Sequence, residues 1–369
     1  MIWIVYIAKF AFFLFALAVL APLLTWVERK QSAVMQDRIG ANRASIFGMR
    51  ALGLFHALAD VLKLFTKEFF IPRGAQKLIF LLAPCISIFF ALLGFAVIPH
   101  ADSLIVAGQS YAMQIVAADV GILFFFAVLS MAVYGVILGG WASNNNYAML
   151  GGMRASAQMI SYEVALGVSL IGVILVYGSV DLLEISRAQG ELWFGFLPQW
   201  GIFVQPLAFF IFMTAGIAET KRIPFDAPEG ESEIVGYFIE YGGMGFGMYF
   251  LTDFIETILI ASMTVIFFLG GFQIPYLQAD GLHIPGLMPL LFPDTVVLGV
   301  FQLNNLIVTL LQFAAFIFKV AVVIFLMMTI RWTLPRFRYD QIMNLGWKML
   351  LPLSLVNIIV TAVVLYWLR

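Results

Sequence analysis

Residues 117–140 read AADVGILFFFAVLSMAVYGVILGG. After Asp119 at its start the run holds no charged side chain, and its length matches the ~20 residues a helix needs to cross a hydrocarbon core. It shows no alternation of polar and apolar positions. A helix, with every backbone bond satisfied inside the segment, is therefore the structure that fits it. Runs of the same kind recur near 2–25, 77–99, 158–178, 200–218, 244–270, 302–330 and 349–368, making eight. Composition points the same way. The chain is 63% hydrophobic and 11% charged, whereas soluble domains carry about 25% charged residues, so a water-facing surface cannot be built from it. The expectation is an all-α membrane protein, with residues 1–369 as a single transmembrane domain of eight transmembrane helices in contact with a lipid bilayer.

The first run has no basic leader and ends in WVERK rather than in small residues, so it reads as a true helix and not as a signal peptide. The lone cysteine, Cys85, excludes a disulfide or a cysteine-held cluster on this chain. His56, His100 and His283 lie far apart without ligand spacing, so no metal is expected. The net charge of −1 offers no basic surplus for nucleic acid. Halves with paired broken helices, as in many secondary transporters, are not evident, which weighs against an independent ion transporter.

Basic residues are concentrated in four segments. Loops 26–76, 141–157, 219–243 and 331–348, with Lys77 beside them, hold sixteen of the twenty Lys and Arg residues. By the positive-inside rule these loops are cytoplasmic, and both termini lie on the non-cytoplasmic side. Within the first loop, Leu52, Phe55, Leu62, Phe65 and Phe69 recur at helical spacing, and His56, Asp60, Lys63 and Lys67 form a polar stripe. Residues 51–70 are therefore expected to form an amphipathic surface helix, with Asp60 and Lys63 placed to pair with each other.

The third loop, ETKRIPFDAPEGESE at 219–233, is the densest. Glu219, Asp226, Glu229, Glu231, Glu233 and the nearby Glu240 accompany only two cations, Lys221 and Arg222. Pro224 and Pro228 forbid a continuous helix, while residues from Ser232 onward are expected to be helical, with Tyr237, Glu240 and Tyr241 on one face. Carboxylates this close repel one another and are suited to exchanging protons. Glu163 lies about one turn inside the fourth run, where an unpaired charge is costly and marks a functional path. Asp119, Asp253, Glu256 and Lys319 also fall in or near spans, where interfacial placement or a structural ion pair is the simpler reading.

Taken together, VERKQSAVMQDRIGANR (27–43), ALADVLKLFTKE (57–68), GGMRASAQMISYE (151–163), the acidic loop and LPRFRYDQIMNLGWK (334–348) resemble the quinone-site membrane subunit of proton-pumping NADH:quinone oxidoreductase, respiratory complex I. The resemblance implies a subunit without redox centres, inactive alone, that encloses most of a quinone tunnel. It implies iron–sulfur clusters and FMN in partner subunits, contacts with membrane-arm and peripheral-arm subunits, and a bacterial inner membrane location. Glu28, Arg29, Asp60, Lys63, Arg222, Phe225, Asp226 and Arg331 match tunnel positions. Glu163, Glu219, Glu229, Glu231 and Glu240 match a carboxylate path for protons, with Arg154 as an ion-pair partner. Two departures stand out: Ala41 replaces a proline, and Glu233 to Glu240 spans seven residues where the family has eight. The heel subunit of a membrane-bound hydrogenase or F420H2 dehydrogenase is the alternative reading.

Overall fold

The computed structural model describes residues 2–106, 109–193, 197–228, 236–278 and 305–368, together with short strand segments at 281–282, 296–297 and 300–302. Among the described residues the chain is mostly helical, with seven helices long and apolar enough to cross a membrane.

Helix α1 (Ile2–Met35) outruns the expected first span by ten residues. The sequence VERKQSAVM contains neither Gly nor Pro, so nothing stops the helix at the membrane edge. The extension lifts Glu28, Arg29 and Gln31 out on a rigid rod. Surface helix α2 covers Phe55–Thr66 rather than 51–70. Before it, Ala51 and Leu52 have positive φ and break the backbone; after it, Lys67 is extended. Leu58, Leu62 and Phe65 on α2 are exposed, as expected of a helix that lies on an apolar medium.

Helices α3 (Lys77–Leu93), α4 (Gly121–Ala142) and α5 (Asn146–Tyr177) follow. The expected loop 141–157 shrinks to a tight turn. The Asn145 side chain caps α5 by accepting from the Tyr147 N–H at 2.9 Å, and Gly178 at φ +69° closes its C-terminus. A short α6 (Leu182–Ala188) precedes the run expected at 200–218, which is divided into α7 (Gly201–Val204) and α8 (Pro206–Glu219). Pro206 cannot donate to the helix before it, so α8 starts afresh with proline in its first turn. The break at Gln205 is stitched to the C-terminal helix: Gln205 Nε2 donates to Thr361 Oγ1 at 2.7 Å and Asn357 Nδ2 donates to Gln205 Oε1 at 2.9 Å.

Helix α9 (Gly243–Phe268) is the centre of the molecule, buried along most of its length. The chain just after it is held by Lys319 of α10 (Asn305–Thr333), whose Nζ donates to the carbonyl oxygens of Leu269, Gly271 and Gln273. Lys319 thus pins the turn that follows α9. Finally α11 (Tyr339–Asn344) runs through a wider π turn into α12 (Leu351–Leu368). The connections at the end of the bundle remote from α2 carry short antiparallel strands. β1 (Ser103–Val106) pairs with β2 (Gln109–Ala112), Ser103 opposite Ala112. β3 (Leu192–Trp193) pairs with β4 (Leu197–Pro198). β5 (Leu277–Gln278), β6 (Gly281–Leu282), β7 (Val296–Val297) and β8 (Val300–Gln302) are ordered β5-β6-β8-β7.

The stretch expected to be helical beyond Ser232 is not so where it is described. Residues 237–240 form turns, and the helix starts only at Gly243. Gly236 at φ +121° turns the chain under α5, where a Cβ on Gly151 would lie 2.9 Å from the Tyr237 nitrogen. The close approach of this turn to α5 fixes it against helix formation. Tyr237 and Tyr241 are nevertheless both buried.

Candidate functional site: a charged cavity and the cluster behind it

Three segments bring charge to one place: the C-terminal turns of α1 and α10, and the loop after α8. Gln31 Nε2 on α1 donates to Thr329 Oγ1 on α10 at 2.6 Å, fixing these helices side by side. Glu28 then faces two cations: its carboxylate lies 3.0 Å from Arg222 and 2.7 Å from Arg331. The Arg222 guanidinium also stacks 4.0 Å from the centroid of the Phe254 ring, an orientation that suits a partly desolvated cation. These groups border a cavity of about 340 Å³ whose wall includes Thr25, Lys221, Asp226, Asp253 and Phe254. Arg29, at the rim, pairs with Asp60 of α2 at 2.7 Å.

The acidic loop is held by groups from elsewhere. Gln158 of α5, fully buried, donates to the carbonyl oxygens of Ala218 at 2.7 Å and Phe225 at 2.6 Å. Asp226 pairs with Arg336 at 2.7 Å, and Phe337 N–H donates to the Pro224 carbonyl at 3.0 Å. The RFRYDQ segment therefore clamps the loop from the other side.

Behind the cavity lies a buried cluster. Helix α8 gives way to a turn at Lys221, which adopts φ +55°, a conformation that costs a non-glycine residue roughly 1–2 kcal/mol. The turn points its ammonium inward, 2.9 Å from Asp253 and 3.3 Å from Glu256, with its side chain 1% exposed. Burial works against the charged lysine, but the two carboxylates outweigh it and hold its pKa well above the ordinary range. Glu219, fully buried, faces the charges of Glu163, Glu256 and Lys221, and neither of its oxygens has a hydrogen-bond partner among the described residues. Glu163, further along, accepts from the Ser130 hydroxyl of α4. Carboxylates therefore outnumber cations in this cluster, where an unpaired negative charge is costly.

Glu28, Arg222, Asp226 and Arg331 meet at the cavity, and Glu163 and Glu219 stand together behind it. Other candidates are placed elsewhere. Asp60 pairs with Arg29 rather than with Lys63, which is exposed; Arg29 reaches down from the rigid end of α1, a partner local spacing does not reveal. Phe225 is packed between Tyr162 and Phe337, each with its ring centroid 5.6 Å away. Arg154 lies over the Tyr339 ring at 5.0 Å. Glu240 accepts from Asn145 Nδ2 at 2.7 Å at the surface near Pro72 and Gly74. Glu229, Glu231 and Glu233 lie outside the described residues. Lys221, Asp253, Glu256 and Arg336 belong to the site without being singled out for it by the sequence. For the first three the available signal is a charge inside or beside an apolar run.

The sequence as a whole matches the profile of one family, described as NADH dehydrogenase, over residues 7–362. The chain belongs to the NADH dehydrogenase family. Its relatives include an H-type NADH-quinone oxidoreductase subunit from Cytophaga hutchinsonii, 43% identical over 93% of this chain and 91% of the relative. A second H-type subunit, from Geobacter metallireducens, is 43% identical over 98% and 96%. A third, from Thermomicrobium roseum, is 42% identical over 93% and 91%. Within the NADH dehydrogenase family the chain stands among bacterial complex I membrane subunits, parts of an oxidoreductase that do not act alone.

Proposed function

We propose that this chain forms most of the quinone tunnel of a proton-translocating NADH:quinone oxidoreductase and couples quinone reduction to proton movement. The observation that carries the proposal is the sharing of Asp253. It lines the cavity bounded by Glu28, Arg222 and Arg331 and also holds the buried Lys221. On this reading the chain crosses the bacterial inner membrane eight times, α7 and α8 counting as one crossing, with the basic loops 26–76, 141–157, 219–243 and 331–348 in the cytoplasm and both termini outside. Peripheral-arm subunits would bring FMN and iron–sulfur clusters to the cavity, and membrane-arm subunits would continue the proton path.

A quinone in the cavity takes electrons from a partner subunit and becomes negatively charged until protons reach it. Arg222 and Arg331 sit where that charge develops, and Glu28 balances them while the cavity is neutral. Charge arriving beside Asp253 weakens its hold on Lys221. The ammonium then shifts its field among Asp253, Glu256 and Glu219, changing which carboxylate holds a proton. Glu163 passes the effect onward. Glu229, Glu231 and Glu240 would carry the cytoplasmic end of the path and Arg154 its ion pairing, while Asp60, Lys63 and Phe225 support the tunnel from outside the cavity wall.

Glu219→Gln and Glu256→Gln in the assembled, reconstituted complex test the proposal. Both should lower proton translocation per quinone reduced, and Glu229→Gln or Glu231→Gln should depress proton-coupled turnover. Unaltered turnover and translocation in all four would overturn the coupling role. Ion transport by the chain alone in liposomes would favour a transporter instead.

A further inference from the structure

Glu240 lies at the surface and Lys221 in the interior, and three tyrosines connect their surroundings. The surface end is a polar cavity of about 340 Å³ at the turn from α4 to α5, lined by Ser143, Asn144, Asn145 and Glu240 among others. The Ser143 hydroxyl, itself buried, donates to the Gly139 carbonyl at 2.6 Å. At Gly139 the tyrosines begin. A Cβ added there would lie 2.1 Å from the Tyr249 hydroxyl oxygen and 3.4 Å from that of Tyr241. Both hydroxyls thus use the room that the missing side chain leaves on α4. Tyr249 donates to the Gly135 carbonyl, one turn along, at 3.0 Å. Its ring meets those of Tyr237 and Tyr241 edge-on, with centroids 5.1 Å apart in each case. The Lys221 ammonium in turn lies 6.0 Å from the centroid of the Tyr237 ring. On α9, Tyr249, Asp253 and Glu256 follow at i, i+4 and i+7 and share one face, so the helix leads from Tyr249 to the two carboxylates that hold Lys221.

All three tyrosines are buried and pack against apolar side chains. Phe80 stacks on Tyr241 at 4.0 Å, and Val133, Val136 and Met159 belong to the same cluster. Phenylalanine would fill the same space. A buried hydroxyl brings a desolvation cost that a ring hydrogen does not, so three of them together call for a role beyond packing. We propose that Tyr241, Tyr249 and Tyr237 relay protons from the cavity at Glu240 to the carboxylates around Lys221. The inference rests on the coupling reading above, in which the buried carboxylates exchange protons and must be resupplied from the cytoplasmic side. A phenol suits the task. Each hydroxyl accepts a proton on a lone pair while giving up its own, so no phenolate forms and no charge is stranded in the apolar cluster. Where neighbouring groups stand farther apart than a hydrogen bond, a bridging water completes the step. Glu240, held by Asn145 Nδ2 at 2.7 Å, collects the proton in the open cavity. Asp253 and Glu256 receive it when the field of Lys221 shifts.

The test uses the assembled complex in liposomes, with quinone reduction and proton translocation followed together in H2O and in D2O. Tyr241→Phe and Tyr249→Phe each keep the ring and remove one hydroxyl. Each should slow proton-coupled quinone turnover about tenfold, less than the ~10²-fold of a lost acid–base group, because other steps share control of the rate. The double variant should be no slower than the worse single one, as expected of two steps in series. The slowed turnover should carry a larger solvent isotope effect than the unsubstituted complex shows, a change that loosened packing does not produce. Gly139→Ala, which drives a methyl group into the space of both hydroxyls, should reproduce the loss with the tyrosines in place. Tyr134→Phe, on an exposed part of α4, should change nothing. Glu219→Gln, measured alongside, reports on the coupling reading without touching the tyrosines. Normal turnover in the double variant, with Glu219→Gln impaired, would overturn the relay and leave that reading standing; normal turnover in both would overturn the two together. Slowing with an unchanged isotope effect would mean packing alone and overturn the relay as well.

Discussion

Lys221 and Arg222 are neighbours in the chain and occupy opposite kinds of site. Arg222 stands at the cavity wall, 12% exposed, with Glu28 on one side and the Phe254 ring on the other. Lys221 is 1% exposed and enclosed by Asp253, Glu256 and Tyr237. The left-handed turn at Lys221 sends successive side chains to different depths. Charge near this cavity therefore comes in two grades. Pairs at the rim, such as Arg29–Asp60, keep contact with water and are worth little each. In the interior an ion pair scarcely offsets its own desolvation, yet losing one partner is severe, because the remaining charge stays buried.

The largest effect should follow Lys221→Asn, which tolerates the left-handed backbone and removes the charge. Asp253 and Glu256 are left facing each other, at a cost on the order of 3–5 kcal/mol, read as a fall in the thermal stability of the assembled complex. Adding Glu256→Gln should recover part of the loss; no recovery would mean that the two do not act as a pair. The pKa of Lys221 is raised, so its contribution is complete below the ordinary lysine pKa of about 10.4 and fades only as pH rises through the higher folded value. The penalty of Lys221→Asn should therefore be flat from about pH 6 to 9 on the lysine's account, and any slope there reports the carboxylates.

Glu28→Gln comes next. It leaves Arg222 and Arg331 without their shared counter-charge, and the loss of charged hydrogen bonds worth about 1.5–3 kcal/mol should appear as a KM for quinone raised roughly tenfold or more. An unchanged KM would separate this pair of arginines from quinone binding. Arg336→Gln should cost about 1 kcal/mol, because Asp226 is buried but Arg336 is partly wet; limited proteolysis of the acidic loop checks whether the clamp has loosened. Smallest of all, Arg29→Ala should cost under about 1 kcal/mol, since both Arg29 and Asp60 are more than a third exposed. That difference should vanish at high salt. A large, salt-independent loss would place Arg29 with the interior group instead.

Much of this architecture is legible in the chain, and the reason is local. Apolar run length locates helices because the bilayer core has a fixed thickness, and the stripe on α2 is visible because helical periodicity brings its residues together. Motif resemblance singles out Glu28, Arg222 and Arg331, and the three do meet. Where spacing misleads, the cause is the same each time: it sees only neighbours in the chain. Spacing pairs Asp60 with Lys63, but the long rigid end of α1 brings Arg29 closer. Spacing alone puts Glu240 on a helix with Tyr237 and Tyr241. The packing of Gly151 against the 236–237 turn, and the bond from Asn145, put Glu240 at the surface instead.

By itself the sequence determined that the chain is a helical membrane protein with its charge gathered into a few segments, because burial in lipid permits no other use of so apolar a composition. It also determined, through motif and overall similarity, the family. Only the tertiary structure decided which charges are partners. For Asp253 and Glu256 an ion pair is readable but its partner is not, until α9 is packed against the end of α8 and Lys221. Lys221 is one of two adjacent cations until the backbone turns it inward. Pairing across helices depends on helix position and on one left-handed residue, and neither is written in any local pattern.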